Sequence, residues 1–252
     1  MAQTQNLGSS TGESADTSAD RWGRDRPWAL SATALLVCGV IAGPLFVAVF
    51  VIEGATRPSY YPLRSSVSSL SLTGSGWMQS LDFIVAGLLT LAFAAGVRRV
   101  RPQQASVWGP LLIGLWGIHL VVAGVFATDP DSGYPPGVPI PDHPTVHGLL
   151  HDISVAFGFP SLVAAFFVFV RQFAVRGERG WTVSSAAGGV AFLISFFLAF
   201  RAFGRTDGLG ELGGLFERMA AVIGFGWLTM LAIYLLAASQ GTAGSSSNAG
   251  EV

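Results

Sequence analysis

The sequence predicts an all-α integral membrane protein, a single bundle of six transmembrane helices. Three observations carry that reading. The 252 residues are 51% hydrophobic and only 12% charged, about half the charged share of an ordinary soluble domain. Six apolar runs each approach the roughly 20 residues needed to cross a hydrocarbon core about 30 Å thick. Polar breakers rich in Arg, Pro or Gly separate the runs.

Residues 1–27 open with Ser, Thr, Gly, Ala and acids, a composition too poor in bulky apolar groups to bury a core. They are expected to form a disordered cytoplasmic tail. The six-helix domain is expected over 28–238, and a second disordered tail, Gly/Ser-rich, over 239–252. The first run, Trp28–Ile52, is too long for the core of a signal peptide and reads as an uncleaved helix. Met78–Val97, Val107–Ala127, Val146–Val170, Trp181–Phe200 and Met219–Ala238 follow. An even number of crossings puts both termini on one side. With the termini inside, nine arginines fall in cytoplasmic segments and five in outer ones, and the excess predicts a multi-pass protein of the cell membrane with cytoplasmic termini.

Lysine is absent, and no run of like charge suggests nucleic acid as a partner; membrane lipid is the expected one. The single cysteine, Cys38, lies in an apolar run, which excludes an internal disulfide and a thiolate metal cluster. Small and polar stripes at helical spacing mark the faces expected to point into the bundle. They are Gln79, Asp82, Ala86, Thr90 and Ala94 in the second helix, and His147, His151, Ser154, Gly158 and Ser161 in the fourth. The fifth offers Ser184, Gly188, Ala191, Ser195 and Ala199.

Ionisable groups gather at the outer helix ends, and such groups at membrane depth by default mark a functional site. The stretch Thr128–Ser154 concentrates them. His147 and His151, four apart at the start of the fourth helix, have rings able to converge. Paired imidazoles on one helical face are a common half-site for a divalent metal such as zinc, completed by a carboxylate or third His. Asp129 at the end of the third helix is the expected third ligand, with His143 as a substitute. Ser154 shares the stripe as a nucleophile or water holder, and Asp82 and Asp152 are the candidate general bases. The bland alternative has His147 capping the helix or bonding loop carbonyls and His151 bonding across helices.

Other polar residues read as structural. His119, opposite the Gly117/Gly124 face, is expected to be a packing or lipid-side residue. Glu53, Arg201 and Arg218 are expected to snorkel to water. Asp129–Gly133 lacks the distal Glu of a calcium loop and reads as an Asx turn. Ser65–Ser71 contains no nucleophile elbow and is expected to lie on the membrane, with Trp77 as an interfacial anchor.

Two segments carry a family resemblance. One is Ser65–Trp77, SSVSSLSLTGSGW, followed by Met78, Gln79, Asp82 and Phe83. The other is Ala123–Pro130, AGVFATDP, then the Gly/Pro loop and His147-Gly-Leu-Leu-His151. Together they resemble the six-helix prokaryotic membrane family known as domain of unknown function 998, over roughly residues 30–238. This chain departs from that family's pattern at Asp82, where the family carries Asn. The resemblance implies a fold and a membrane location but no settled activity.

Two functions follow as expectations. The favoured one is a lipid- or ligand-sensing or accessory membrane protein whose outward-facing polar cluster ties the outer loops together. The alternative is an outward-facing, metal-dependent hydrolase of a lipid or lipid-linked substrate, in which Asp129, His147 and His151 hold an ion that acidifies water. Secondary transport is not expected, because the inner helix halves carry no charge and no repeat relates the two halves.

Overall fold

The structure, a computed structural model, describes residues 31–100, 106–203 and 207–248, the last nine of these as backbone only. Six helices account for most of them. They are α1 (Ala32–Thr56), α2 (Trp77–Val100), α3 (Trp108–Val125), α4 (Val146–Val175), α5 (Arg179–Ala202) and α6 (Gly213–Asn248). All six are long and apolar enough to cross a membrane. Short 3-10 turns at Ser68–Leu72 and Gly210–Leu212 precede α2 and α6. Extended pairing among the described residues is confined to one isolated bridge, Asp131 to Tyr134.

The expected tail at 1–27 lies outside the described residues. At the other end α6 continues to Asn248, past the end expected at 238. Propagating a formed helix costs far less than nucleating one, so a polar Ala-containing segment extends it readily.

Each helix packs on its neighbours in sequence, and α6 closes on α1, giving a ring of six. Connections α1–α2, α3–α4 and α5–α6 gather at one end, called here the site end. The α2–α3 seam is the tightest, because a Cβ on Gly87 would lie 2.8 Å from the Gly117 carbonyl oxygen, and one on Gly117 3.0 Å from that of Gly87. Small residues let backbones approach in this way where lipid supplies no hydrophobic drive between helices. Aromatic rings fill the ring's centre. Trp116 meets Phe159, Phe192 and Phe225 at centroid separations of 5.0, 6.1 and 6.0 Å.

The expected stripes on α2 and most of α4 are buried, though His147 is exposed. On α5 the first half is displaced by one residue, since Ser185, Gly189 and Phe192 are buried in place of Ser184, Gly188 and Ala191. The reason is Phe192, whose large ring claims the interior and sets the helix's rotation. Ser185 then accepts from the Trp227 indole at 3.1 Å. Outward faces carry exposed Phe157, Val190, Ile194 and Phe197, an apolar surface suited to lipid.

Candidate functional site

A cavity of about 570 Å³ opens within the ring at the site end and touches every helix. Its wall is aromatic and aliphatic: Phe46, Phe83, Trp116, Leu120, Phe159, Phe196 and Phe203. Its polar groups are Ser66 and Ser68 from the α1–α2 connection, His119 from α3, and Thr128, Asp129 and Asp131 from the α3–α4 loop. His151 and Asp152 join them from α4, and Glu217 from α6. No arginine lines it among the described residues. Asp152, Ala156 and Phe200 line the cavity while being exposed, so it is open beside α4 and α5.

Its roof is the 3-10 turn, held inside the bundle rather than laid on the membrane. Val67 and Leu70 are buried, the Val67 amide donates to Glu217 Oε2 at 2.9 Å, and the Tyr60 hydroxyl donates to the Ser66 carbonyl at 2.8 Å. The sequence expectation of a surface segment fails because Val67 and Leu70 have a pocket inside the ring to fill. Arg218 does not snorkel either. Its guanidinium donates to Tyr60 Oη and to the carbonyls of Pro62, Ser65 and Gly214, locking α6 to this connection. Glu53 is buried and paired with Arg57 at 2.7 Å, and Arg201 remains exposed.

Asp129 stands at the first turn of α4, and its two oxygens accept from Thr145, from the amide at 2.8 Å and from Oγ1 at 2.6 Å. Thr145 is the N-cap of α4 and accepts from the Gly148 amide at 3.0 Å. The carboxylate therefore orders the cap and faces the positive end of the helix dipole. A Cβ on Gly148 would fall 2.2 Å from Asp129 Oδ2, so the loop closes against bare backbone. His147 is exposed, with its ring against Phe126 at 5.4 Å, and His143 is exposed too.

His151 is 3% exposed and engaged at both nitrogens. Nδ1 lies 3.0 Å from the Phe126 carbonyl oxygen and Nε2 lies 3.1 Å from Ser68 Oγ. Phe126 ends α3 in an extended conformation, and a helix's last carbonyls have no partner within it. Since that oxygen only accepts, Nδ1 carries the proton in the neutral ring and Nε2 accepts from the Ser68 hydroxyl. The expected metal shell is thus not assembled. Asp129 is taken up by Thr145 and His151 by Phe126 and Ser68, no hydrogen bond among the described residues joins Asp129 to either imidazole, and no group of three or more His, Cys, Asp or Glu among the described residues is placed to hold a metal ion.

Ser154 does not line this cavity. It donates to the His151 carbonyl at 2.7 Å and meets His119 Nδ1 at 3.0 Å. With the hydroxyl proton spent on a carbonyl, His119 Nδ1 donates, so Ser154 has no base beside it. His119 is buried between α3 and α4 rather than at the lipid side. A helix inside a ring has two packed faces, and His119 occupies the one opposite the Gly seam. Asp82 is buried between α1 and α2, accepts from Gln79 Nε2 at 3.3 Å, and does not line the cavity. Glu53 Oε1, Gln79 Oε1 and Asp82 Oδ1 are buried without hydrogen-bond partners.

In the α3–α4 loop, Asp131–Tyr134 forms a tight turn closed by the Tyr134 amide on the Asp131 carbonyl at 2.9 Å. Ser132 and Gly133 sit at φ 50° and 77°. Asp131 Oδ1 is buried without a hydrogen-bond partner, and burial, with the charge of Asp152 nearby, pushes its carboxyl up to about 6. The residues that sequence reasoning missed are Ser68 and Trp116. Nothing local marks Ser68, whose partner His151 is 83 positions away.

These features define a class: a multi-pass helical membrane protein with a mainly apolar cavity at one end, rimmed by carboxylates and imidazoles. A family model described as "Protein of unknown function (DUF998)" matches residues 40–234. The chain belongs to that family. No curated protein and no solved structure matches it.

Proposed function

We propose that the protein holds an amphiphilic molecule, a lipid or lipid-linked compound, in this cavity and serves as a lipid- or ligand-sensing or accessory membrane protein. The observation that carries the reading is the cavity itself. Its volume of about 570 Å³ falls within the roughly 300–1,000 Å³ of small-molecule sites. Its walls suit an acyl chain, and its rim offers carboxylates to a head group that donates hydrogen bonds or carries positive charge. The arginine asymmetry of the connections supports an outward-facing cavity and cytoplasmic termini in the cell membrane. Metal-dependent hydrolysis lacks support from the geometry, because Asp129 and His151 are engaged with other partners and no group of three or more His, Cys, Asp or Glu among the described residues is placed to hold an ion.

The test is native mass spectrometry of the protein released from mild detergent, comparing wild type with Ala199→Phe and Ala221→Phe, which fill the cavity from α5 and α6. The expected result is a bound amphiphile on wild type that both variants lose while remaining folded. Wild-type protein that emerges bare from lipid-rich preparations argues against the proposal.

A further inference from the structure

The contact between Ser68 and His151 has the parts of a nucleophile and its base. Ser68 Oγ lies 3.1 Å from His151 Nε2, and His151 Nδ1 lies 3.0 Å from the Phe126 carbonyl oxygen. An activated serine requires a base within hydrogen-bond reach and a third group that fixes the base's tautomer and orientation. All three are present. The proton sits on Nδ1 because a carbonyl only accepts, which leaves the Nε2 lone pair directed at the serine hydroxyl. Both side chains line the cavity; Ser68 is half-buried, so its oxygen is reachable from the space where an amphiphile would lie. The two stretches carrying the family resemblance meet at this hydrogen bond.

We infer that Ser68 and His151 form a serine-hydrolase dyad acting on an ester of a long-chain acid, the acyl chain lodged among Phe159, Phe196 and Trp116. Ser68 Oγ attacks the ester carbonyl carbon as its proton passes to His151 Nε2. The acyl–oxygen bond breaks, and His151 returns that proton to the departing alkoxide, releasing the alcohol and leaving an acyl-serine. Water then attacks the acyl-serine, giving its proton to His151, and the acid leaves as Ser68 regains its hydrogen. No oxidant, reductant or metal enters the balance. Ser154, whose proton is committed to a backbone carbonyl, takes no part.

This inference rests on the cavity accepting an amphiphile, and the experiment separates the two. Full-length protein in mild detergent is treated with an alkyl fluorophosphonate, and the modified peptide is located by mass spectrometry. The expected adduct is on Ser68, absent in Ser68→Ala. Its rate of formation falls by about a hundredfold or more in His151→Gln, the scale of a lost general base; that variant can still donate to the Phe126 carbonyl. Ser68→Cys, close in size to the native residue, is expected to alkylate with iodoacetamide at pH 6.5, since a neighbouring imidazole lowers a thiol's pKa. That reactivity disappears when His151→Gln is added. An unmodified Ser68 in protein that still retains an amphiphile overturns the dyad and spares the binding proposal. An adduct whose rate is indifferent to His151→Gln also overturns it. Loss of both labelling and amphiphile retention removes the two together.

Discussion

Among single residues, Asp131 makes the pH behaviour of the loop accessible. Its carboxyl is raised to about 6 by burial and by the charge of Asp152, against about 3.9 in an unfolded chain. Between those values the folded state binds more protons than the unfolded state, so stability falls as pH rises through the window and levels off above it. Asp131→Asn removes that linkage. The expected outcome is a melting temperature in detergent above wild type at pH 8, with the gap closing as pH falls from about 6 toward 4. A constant difference across that range would mean that Asp131 ionises in the folded protein as it does in the unfolded one. His119 teaches a related lesson at the same scale. Position alone placed it opposite the Gly face of α3, which was right. It left packing and the lipid side both open, and the structure gives packing, because that face meets α4.

Among the elements, the helices were largely legible and their rotations only partly so. Hydrophobic length located six spans because a bilayer sets one length for every crossing. The small-residue stripe read α2 correctly, where Gln79, Asp82, Ala86, Thr90 and Ala94 are all buried. On α5 it read Ser195 and Ala199 correctly and misread the first half, where the bulky Phe192 decides which face turns inward. Close approach of α3 and α4 depends on Gly158, where a Cβ would stand 2.3 Å from His119 Cγ. Gly158→Ala is expected to cost about 1–3 kcal/mol through overpacking and to lower the melting temperature. Gly226→Ala is the matched control, because nothing lies within 4 Å of its Cβ position. The control should be neutral or slightly stabilising, as Ala is the better helix former. Equal effects of the two substitutions would remove the claim that α3 and α4 interlock at His119.

For the whole molecule, the sequence supplied the ingredients of the site without their pairing. It singled out Asp129, His147 and His151 from spacing along one loop and one helix. The fold instead gives Asp129 to the α4 cap and gives His151 to the end of α3 and to Ser68. Contacts between Ser68 and His151, or between Glu217 and Val67, join segments 83 and 150 positions apart. A hydrophobic pattern carries no record of such pairings. They arise because the ring closes through α6 on α1 and draws the three site-end connections over one cavity. The account's central claim is that this cavity takes an amphiphile within the bundle. Photo-crosslinking of the purified protein with a fatty-acyl probe bearing a terminal diazirine tests it most directly, with adducts mapped by peptide mass spectrometry. The account predicts adducts on Trp116, Phe159 and Phe196 that Ala199→Phe abolishes. Adducts confined to exposed residues such as Phe157, Val190 and Phe197, unchanged by that substitution, would contradict it.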